Sequence, residues 1–437
     1  MYDLSRREFL HTAASVAAAT SLPAWFLNEA QSAAPIAKND EPLRLALIGC
    51  GGRGRGVAGQ AARHGRMVAV CDVDDANLAE ARKLWPDAAP FKDFRKLLEQ
   101  PGIDVIVNGT PDHWHTLVNI AALRSGRDVY SEKPLTLTID EGKRLVQVVR
   151  DTGRILQTGS QQRSEKNFRL ACELVRNHRL GRLQHVDVWL PHGRSEGPFE
   201  SRPVPTGFDW DMWQGQTPHA PFVTERAHVT FRYWWEYSGG TLTDWGAHHL
   251  DIALWGTGFE RSGPASIEAQ PLVEMIPGGF TAFSEYEVRY VYPNGVTQTC
   301  RSTTANAWNG TVLDPNGQQH GVKFTGSDGW IFVTRGKIEA SDPELLTTPL
   351  PADALRLDVS DDHMQNFIDA VRSRKPPLCD AEIGHRSVSV CHLGVIALRL
   401  GRKLQWDAAR EQFVGDAEAD RWLSREMRAP WSYDSIG

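Results

Sequence analysis

Leu43-Arg44-Leu45-Ala46-Leu47-Ile48 runs directly into Gly49-Cys50-Gly51-Gly52-Arg53-Gly54, and Met67-Val68-Ala69-Val70-Cys71 follows and ends on Asp72. The first run is short, apolar and closed by glycine, as a buried strand should be. Gly49, Gly51 and Gly54 match G-x-G-x-x-G, residues 57–63 read as a helix, and residues 67–71 read as a second strand. Each glycine has a mechanical reason. The first turns the chain tightly, the second lets backbone approach a pyrophosphate, and the third lets helix and strand pack closely. The helix N-terminus, with Gly52 and Arg53 beside it, then offers N–H groups to phosphate. Asp72 lies 23 residues beyond Gly49, where a carboxylate accepts both ribose hydroxyls of an adenosine. That carboxylate repels a 2′-phosphate, so the pattern favours NAD. Arg53 and Arg55 keep NADP as the lesser alternative.

The alternation continues outward. Helical stretches at 94–98, 116–124 and 139–150 separate apolar runs at 105–107, 129–130 and 155–157, which predicts a parallel, doubly wound sheet. Ligands of such sheets sit at the carboxyl ends of the strands. Two polar motifs fall there: Thr110-Pro111-Asp112-His113-Trp114-His115, and Glu132-Lys133-Pro134. Beyond residue 160 the signals change. A strand is expected over 183–190, then a long aromatic, Pro- and Gly-rich stretch over 191–239, and then strands at 266–273, 284–292, 296–302, 322–324 and 330–333. Helices are expected over 361–374 and 381–400. The fold class is thus an α/β dinucleotide-binding domain over 43–160, with a mostly antiparallel α+β domain over 161–437.

The 437 residues carry 48 Lys and Arg against 54 Asp and Glu, with 41% hydrophobic residues. That balance excludes intrinsic disorder, and the lack of clustered positive charge argues against nucleic-acid binding. Residues 1–34 read as an address. Ser5-Arg6-Arg7-Glu8-Phe9-Leu10 precedes an Ala-rich stretch, the pattern of a twin-arginine export signal, which implies the twin-arginine translocation machinery as partner and a periplasmic location. Pro35 follows the small residues Ser32-Ala33-Ala34 and should hinder cleavage there, leaving a membrane tether as one outcome. Six cysteines without framework spacing suit a chain folded in a reducing compartment before export.

Together with Asp244-Trp245-Gly246-Ala247-His248-His249-Leu250-Asp251, these motifs resemble the glucose-fructose oxidoreductase / inositol dehydrogenase / rhizopine catabolism (Gfo/Idh/MocA) family, whose D-x-G-x-H-x-x-D pattern is met at Asp244, Gly246, His248 and Asp251. The resemblance implies a Rossmann domain followed by an open-sheet domain, reversible oxidation of a sugar or polyol hydroxyl, and a homodimer or homotetramer. It assigns catalysis to Lys133, Asp244 and His248. It places Thr110, Pro111, His115, Glu132, Lys133 and Gln161 beside the cofactor with the glycine loop. Arg163 and Trp235 join Lys133, Asp244 and His248 as substrate-binding candidates, and His192 is a further one.

The chemistry fits those side chains. Hydride leaves a carbinol carbon only if the hydroxyl proton also leaves and the alkoxide is stabilised, tasks for a lysine ammonium and a histidine. Lys133 and His248 both remain candidates for the formal base. Asp244 and His248, four apart, share a face if the segment is helical. Two other readings stand beside the dehydrogenase. One is a redox-neutral glycosidase, lyase or two-substrate oxidoreductase that oxidises transiently. The other is a metal site using His113, His115, His248, His249 and Asp251, which is disfavoured because the dinucleotide motif accounts for His115. Export bears on the first two readings: outside the cytoplasm a dissociated NAD is lost, so an exported enzyme should hold it tightly.

Overall fold

The computed structural model describes residues 22–23, 26, 41–302 and 320–434. The twin-arginine motif and the expected cleavage region lie outside the described residues. Among those described, no helix is long and apolar enough to cross a membrane.

Six parallel strands form the first sheet in the order β3-β2-β1-β4-β5-β6: β1 Leu43–Ile48, β2 Gly65–Cys71, β3 Ala89–Phe91, β4 Val105–Asn108, β5 Asp128–Ser131 and β6 Leu156–Thr158. Leu45, Ala46 and Leu47 have no exposed surface, since helices cover both faces and every β1 side chain beyond Arg44 meets a core. The crossover helices are α1 Gly52–Ala61, α2 Asp75–Leu84, α3 Phe94–Leu98, α4 Asp112–Arg124 and α5 Ile139–Thr152. Helix α5 shows how such elements start and stop. Thr138 Oγ1 accepts from the Glu141 N–H, and Gly153 closes the helix in the left-handed region at φ 61°.

Nine strands form the second sheet: β7 Leu183–Leu190, β8 Ser266–Pro271, β9 Tyr286–Val291, β10 Thr297–Ser302, β11 Gly321–Gly326, β12 Trp330–Thr334, β13 Lys337–Ala340, β14 Leu404–Asp407 and β15 Gln412–Phe413. Their order is β13-β12-β11-β7-β10-β9-β8-β14-β15. All pairings are antiparallel except β10 with β7. Helices α6 Lys166–Arg176, α7 Trp210–Gln214, α8 Thr241–Asp244 and α9 Gly246–Thr257 follow in this half, with α10 His363–Ser373 and α11 Ala381–Leu400 between β13 and β14. The Tyr292–Val296 turn joins β9 and β10 as a hairpin, as its Pro-Asn-Gly sequence predicts.

The two halves share core. Met364, Phe367, Ile368 and Val371 of α10 pack with Leu45, Leu47 and Val70, so a helix from late in the chain completes one face of the first sheet. His363 Nε2 meets the Thr158 carbonyl at 2.9 Å, and Arg374 forks onto Asp128. The sequence boundary at 160 therefore marks the end of the parallel strands, while the packing of the first domain draws on residues beyond 360.

Candidate active site

The chain turns at Gly49 with φ +89°, and a Cβ on Gly54 would lie 2.0 Å from the Gly49 carbonyl oxygen, so α1 reaches the strand end only because residue 54 has no side chain. No side chain caps α1 at Gly51, and Gly51 and Gly52 each face open space. Backbone N–H groups are thus presented to a cradle that a Cβ on either glycine would begin to fill, which fits a dinucleotide pyrophosphate. Asp72, at the end of β2, accepts the Cys50 N–H at 2.7 Å and the Asp74 N–H at 2.9 Å. Burial pushes its carboxyl up to about 6 against those two hydrogen bonds.

From this loop a cavity of about 760 Å³ runs along the carboxyl ends of β1, β2, β4 and β5 to the N-terminus of α9. Gly49, Gly51, Gly52, Arg53, Gly54, Asp72, Thr110, Pro111, His115, Glu132, Lys133, Gln161, Asp244 and His248 all line it, so residues far apart in sequence meet around one space. Lys133 Nζ donates to Asp244 Oδ1 at 2.5 Å and to the Asp244 carbonyl at 2.9 Å. Arg232 Nε stands 3.3 Å from the other Asp244 oxygen. Burial alone would raise this carboxyl, but Lys133 and Arg232 hold it down to about 2. His248 is kept neutral, its pKa well below the ordinary value, by burial and by the nearby Lys133 and Arg335 charges. Its buried Nδ1 has no hydrogen-bond partner.

The helix expected to carry both Asp244 and His248 is broken. Asp244 ends α8, Trp245 is the junction, and His248 lies in the first turn of α9. Both side chains still reach the cavity. Glu132 receives Arg53 Nη2 at 2.8 Å and the Gln161 amide at 3.1 Å, which ties the glycine loop to β5. His115 faces backbone on both sides, the Pro134 carbonyl at 2.7 Å and the Thr110 carbonyl at 2.8 Å. It staples the two strand-end loops together.

Two substrate candidates are corrected. Arg163 is fully buried, forked onto Asp251 at 2.8 Å through both Nε and Nη2 and stacked under Trp255, and so does not line the cavity. A guanidinium so deeply placed must keep its carboxylate. Trp235 lies outside the cavity as well, sandwiched by Arg425 at 3.5 Å and Arg399 at 4.4 Å from its ring centre. His192 lines a separate surface hollow. Of the aromatic residues between 191 and 239, Trp213 and Phe231 reach the cavity from the edge of an aromatic cluster that also holds Trp210, Trp234 and Tyr237. The five metal-site candidates are split: His113 meets the Trp213 carbonyl, His249 meets His320, and Asp251 holds Arg163.

Arg232, Arg335, Trp245 and His228 also line the cavity and escaped the sequence reading, since His228 and Arg232 sit in a short 3-10 helix and Arg335 in a turn, where no periodicity marks a face. Residues 207–232 cross the mouth of the nucleotide groove. The Asp75 N–H donates to the Gly207 carbonyl, the Asp209 N–H donates to the Val73 carbonyl, both at 3.0 Å, and Asp74 pairs with Phe208. His228 Nε2 lies 3.3 Å from Asp74.

Two family models match this chain. One, described as "Oxidoreductase family, NAD-binding Rossmann fold", covers residues 43–160, and the other, "Oxidoreductase family, C-terminal alpha/beta domain", covers residues 189–433. A glycosyl hydrolase family 109 protein from Stenotrophomonas maltophilia is 26% identical over 50% of this chain and 51% of its own length. A scyllo-inositol 2-dehydrogenase (NAD(+)) from Bacillus subtilis is 24% identical over 73% of this chain and 82% of that protein. The chain spans about half, or less, of the length of several other curated relatives it matches. The WlbA dehydrogenase from Bordetella pertussis, solved with NADH and UDP-GlcNAcA, shares the fold with a TM-score of 0.63 at 20% identity, over 84% of this chain and 99% of that one. With both domain models matched in order over most of its length, the chain belongs to the Gfo/Idh/MocA oxidoreductase family, with an NAD-binding Rossmann domain at its head.

Proposed function

We propose that this protein oxidises a hydroxyl of a sugar, sugar derivative or polyol by hydride transfer to an NAD that it holds tightly. The observation that carries this reading is the meeting of Lys133, Asp244 and His248 at one end of the cavity whose other end is the glycine loop. Bound NAD supplies the hydride acceptor. Asp244 orients the Lys133 ammonium, which steadies the negative charge that grows on the substrate oxygen. His248 lines the cavity beside Lys133, where it can take the hydroxyl proton. Glu132, held by Arg53 and Gln161, fixes the strand end that carries Lys133.

Two observations support a retained cofactor. Gly207 and Asp209, in the segment that goes on to line the cavity, are hydrogen-bonded to Asp75 and Val73, and the chain carries the Ser5-Arg6-Arg7 export pattern. With the pattern goes export through the twin-arginine machinery to the periplasm, where lost NAD is not replaced. Assembly as a homodimer or homotetramer is the corresponding proposal for the folded enzyme. The second reading is a redox-neutral cycle, as in a glycosidase or a two-substrate oxidoreductase, and the glycosyl hydrolase family 109 relative favours it. The dehydrogenase reading draws on the Glu132-Lys133-Pro134 run that this chain carries, which sets Lys133 at the cavity.

Absorbance at 340 nm on the purified protein with a sugar panel and excess NAD separates the two. Many NADH per site means exchangeable cofactor and a plain dehydrogenase. A rise that stops at one equivalent, or reverses as product accumulates, means a retained cofactor and a closed redox cycle. No absorbance change with any sugar or polyol sinks the oxidoreductase reading.

A further inference from the structure

Asp244, at the end of α8, meets cations from two other elements. Lys133, just after β5, donates to Oδ1 at 2.5 Å and to the carbonyl of the same residue at 2.9 Å. Arg232, in the 3-10 helix His228–Tyr233, brings Nε to 3.3 Å from Oδ2. The two carboxylate oxygens are thus divided between the two cations. An ammonium has three N–H donors, and Lys133 directs two of them at Asp244. The third is left for an oxygen that enters the cavity, as long as the carboxylate does not turn.

Arg232 is itself held in place. Its Nη1 donates to the Val229 carbonyl, three residues back, at 2.6 Å, and its guanidinium lies 5.3 Å from the centre of the Phe231 ring. Phe231 is buried in the aromatic cluster and meets Trp213 edge-on at 6.3 Å. The rings of this segment therefore fix the short helix that presents Arg232 to the reacting centre. Burial pushes the Asp244 carboxyl toward its neutral form; Lys133 and then Arg232 are the largest charges opposing it, and Arg335 adds a smaller effect of the same sign. Arg53, Asp112 and Tyr233 also interact with this carboxylate, and His248 lines the cavity with it.

We propose that Arg232 is a positioning residue, which pins one oxygen of Asp244 so that the other holds the Lys133 ammonium with an N–H turned to the substrate oxygen. This deepens the oxidoreductase reading and rests on it. Held by Lys133 alone, the carboxylate would swing about its Cβ–Cγ bond and carry the ammonium with it. A displacement of about 1 Å at a reacting group costs about a hundredfold in rate. Arg232 acts through Asp244 and takes no proton.

The test uses the full-length, NAD-loaded protein and whichever sugar of a panel reduces its NAD fastest, followed at 340 nm. Arg232→Gln should lower the reduction rate at saturating sugar about a hundredfold. The half-saturating sugar concentration should change less than about threefold, and Arg232→Lys should recover at least about a tenth of the wild-type rate. The Gln variant should also slow further between about pH 8 and about pH 5, because a carboxylate that has lost one cation takes its proton at higher pH. In an Asp244→Asn background the same substitution should cost little more. Carboxyl carbon-13 NMR of aspartate-labelled protein, with Asp244 assigned by its loss in Asp244→Asn, reads the carboxylate without any sugar. Asp244 should titrate at higher pH in Arg232→Gln than in the wild type.

A saturated rate in Arg232→Gln within about threefold of the wild type overturns the assignment. So does a loss confined to half-saturation, which makes Arg232 a substrate contact, or a full further loss in the Asp244→Asn background. Failure of both Arg232 variants to load NADH in a thermal-shift assay makes the residue one that serves folding, and overturns it as well. No reduction by the wild type with any sugar overturns the oxidoreductase reading alone. The Asp244 titration then decides the role of Arg232, and an unmoved titration overturns it.

Discussion

Asp72 and Lys133 show how much a single side chain decides here. Both Asp72 oxygens already accept backbone N–H groups, and burial sets its carboxyl at about 6, so it titrates close to working pH. The ionised form is the one that accepts ribose hydroxyls. Cofactor binding should therefore be full above pH 7 and weaken about tenfold per unit as pH falls below 6. A fluorescence titration of the cofactor-free protein with NAD across pH 5–8 checks this, and Asp72→Asn should flatten the profile. Lys133→Met should lower kcat by about a thousandfold while NAD still binds, since it removes the charge at the developing alkoxide but leaves the glycine loop intact. Unchanged kcat in that variant would remove Lys133 from the chemistry. These residues were legible in the sequence because backbone pattern announces them: a glycine turn, a strand end, a proline. Arg232 and Arg335 carry no such mark. Arg163 misled because its neighbour Gln161 does line the cavity, whereas the next turn of chain directs Arg163 inward to Asp251.

At the scale of elements, the segment between β7 and α8 is where sequence and structure differ most. Its aromatic density suggested a sugar platform. Most of those rings instead pack on one another, Trp210 on Trp213 and Phe208 against Phe222, and form an aromatic cluster beside the nucleotide groove. Gly207 is one of its contacts with the first domain. It has φ +85°, and a Cβ there would come within 2.7 Å of an Asp75 carboxylate oxygen. Gly207→Ala should cost about 1–2 kcal/mol at this backbone position and speed NADH release by about tenfold, read by stopped-flow fluorescence. An unaltered release rate would mean that the crossing segment does not hold the cofactor. Helix α10 illustrates a different limit. Its helical pattern over 361–374 is readable, but its docking on the first sheet is not, because an apolar helix face does not name its partner.

Across the whole molecule, the last residues bind the halves together. Arg428 donates to the Gly215 carbonyl and pairs with Asp211, Trp431 meets Trp114 edge-on at 4.8 Å, and the Tyr433 hydroxyl donates to Glu141 at 2.8 Å. Removing residues 425–437 should lower Tm by about 5 °C or more, given several kcal/mol of lost aromatic burial and polar contact. Calorimetry on the truncated chain would refute this by showing the full-length Tm. Sequence alone determined the parallel sheet and the glycine cradle, because each rests on local spacing or on short motifs whose backbone meaning is nearly invariant, and the family resemblance pointed to Lys133, Asp244 and His248, which line one cavity. Only the tertiary structure decided which arginines face the cavity, which tryptophans are core, and which late helix closes the first domain. Those outcomes depend on contacts between residues separated by tens to hundreds of positions, where burial and charge pairing, rather than any periodicity, choose the partner.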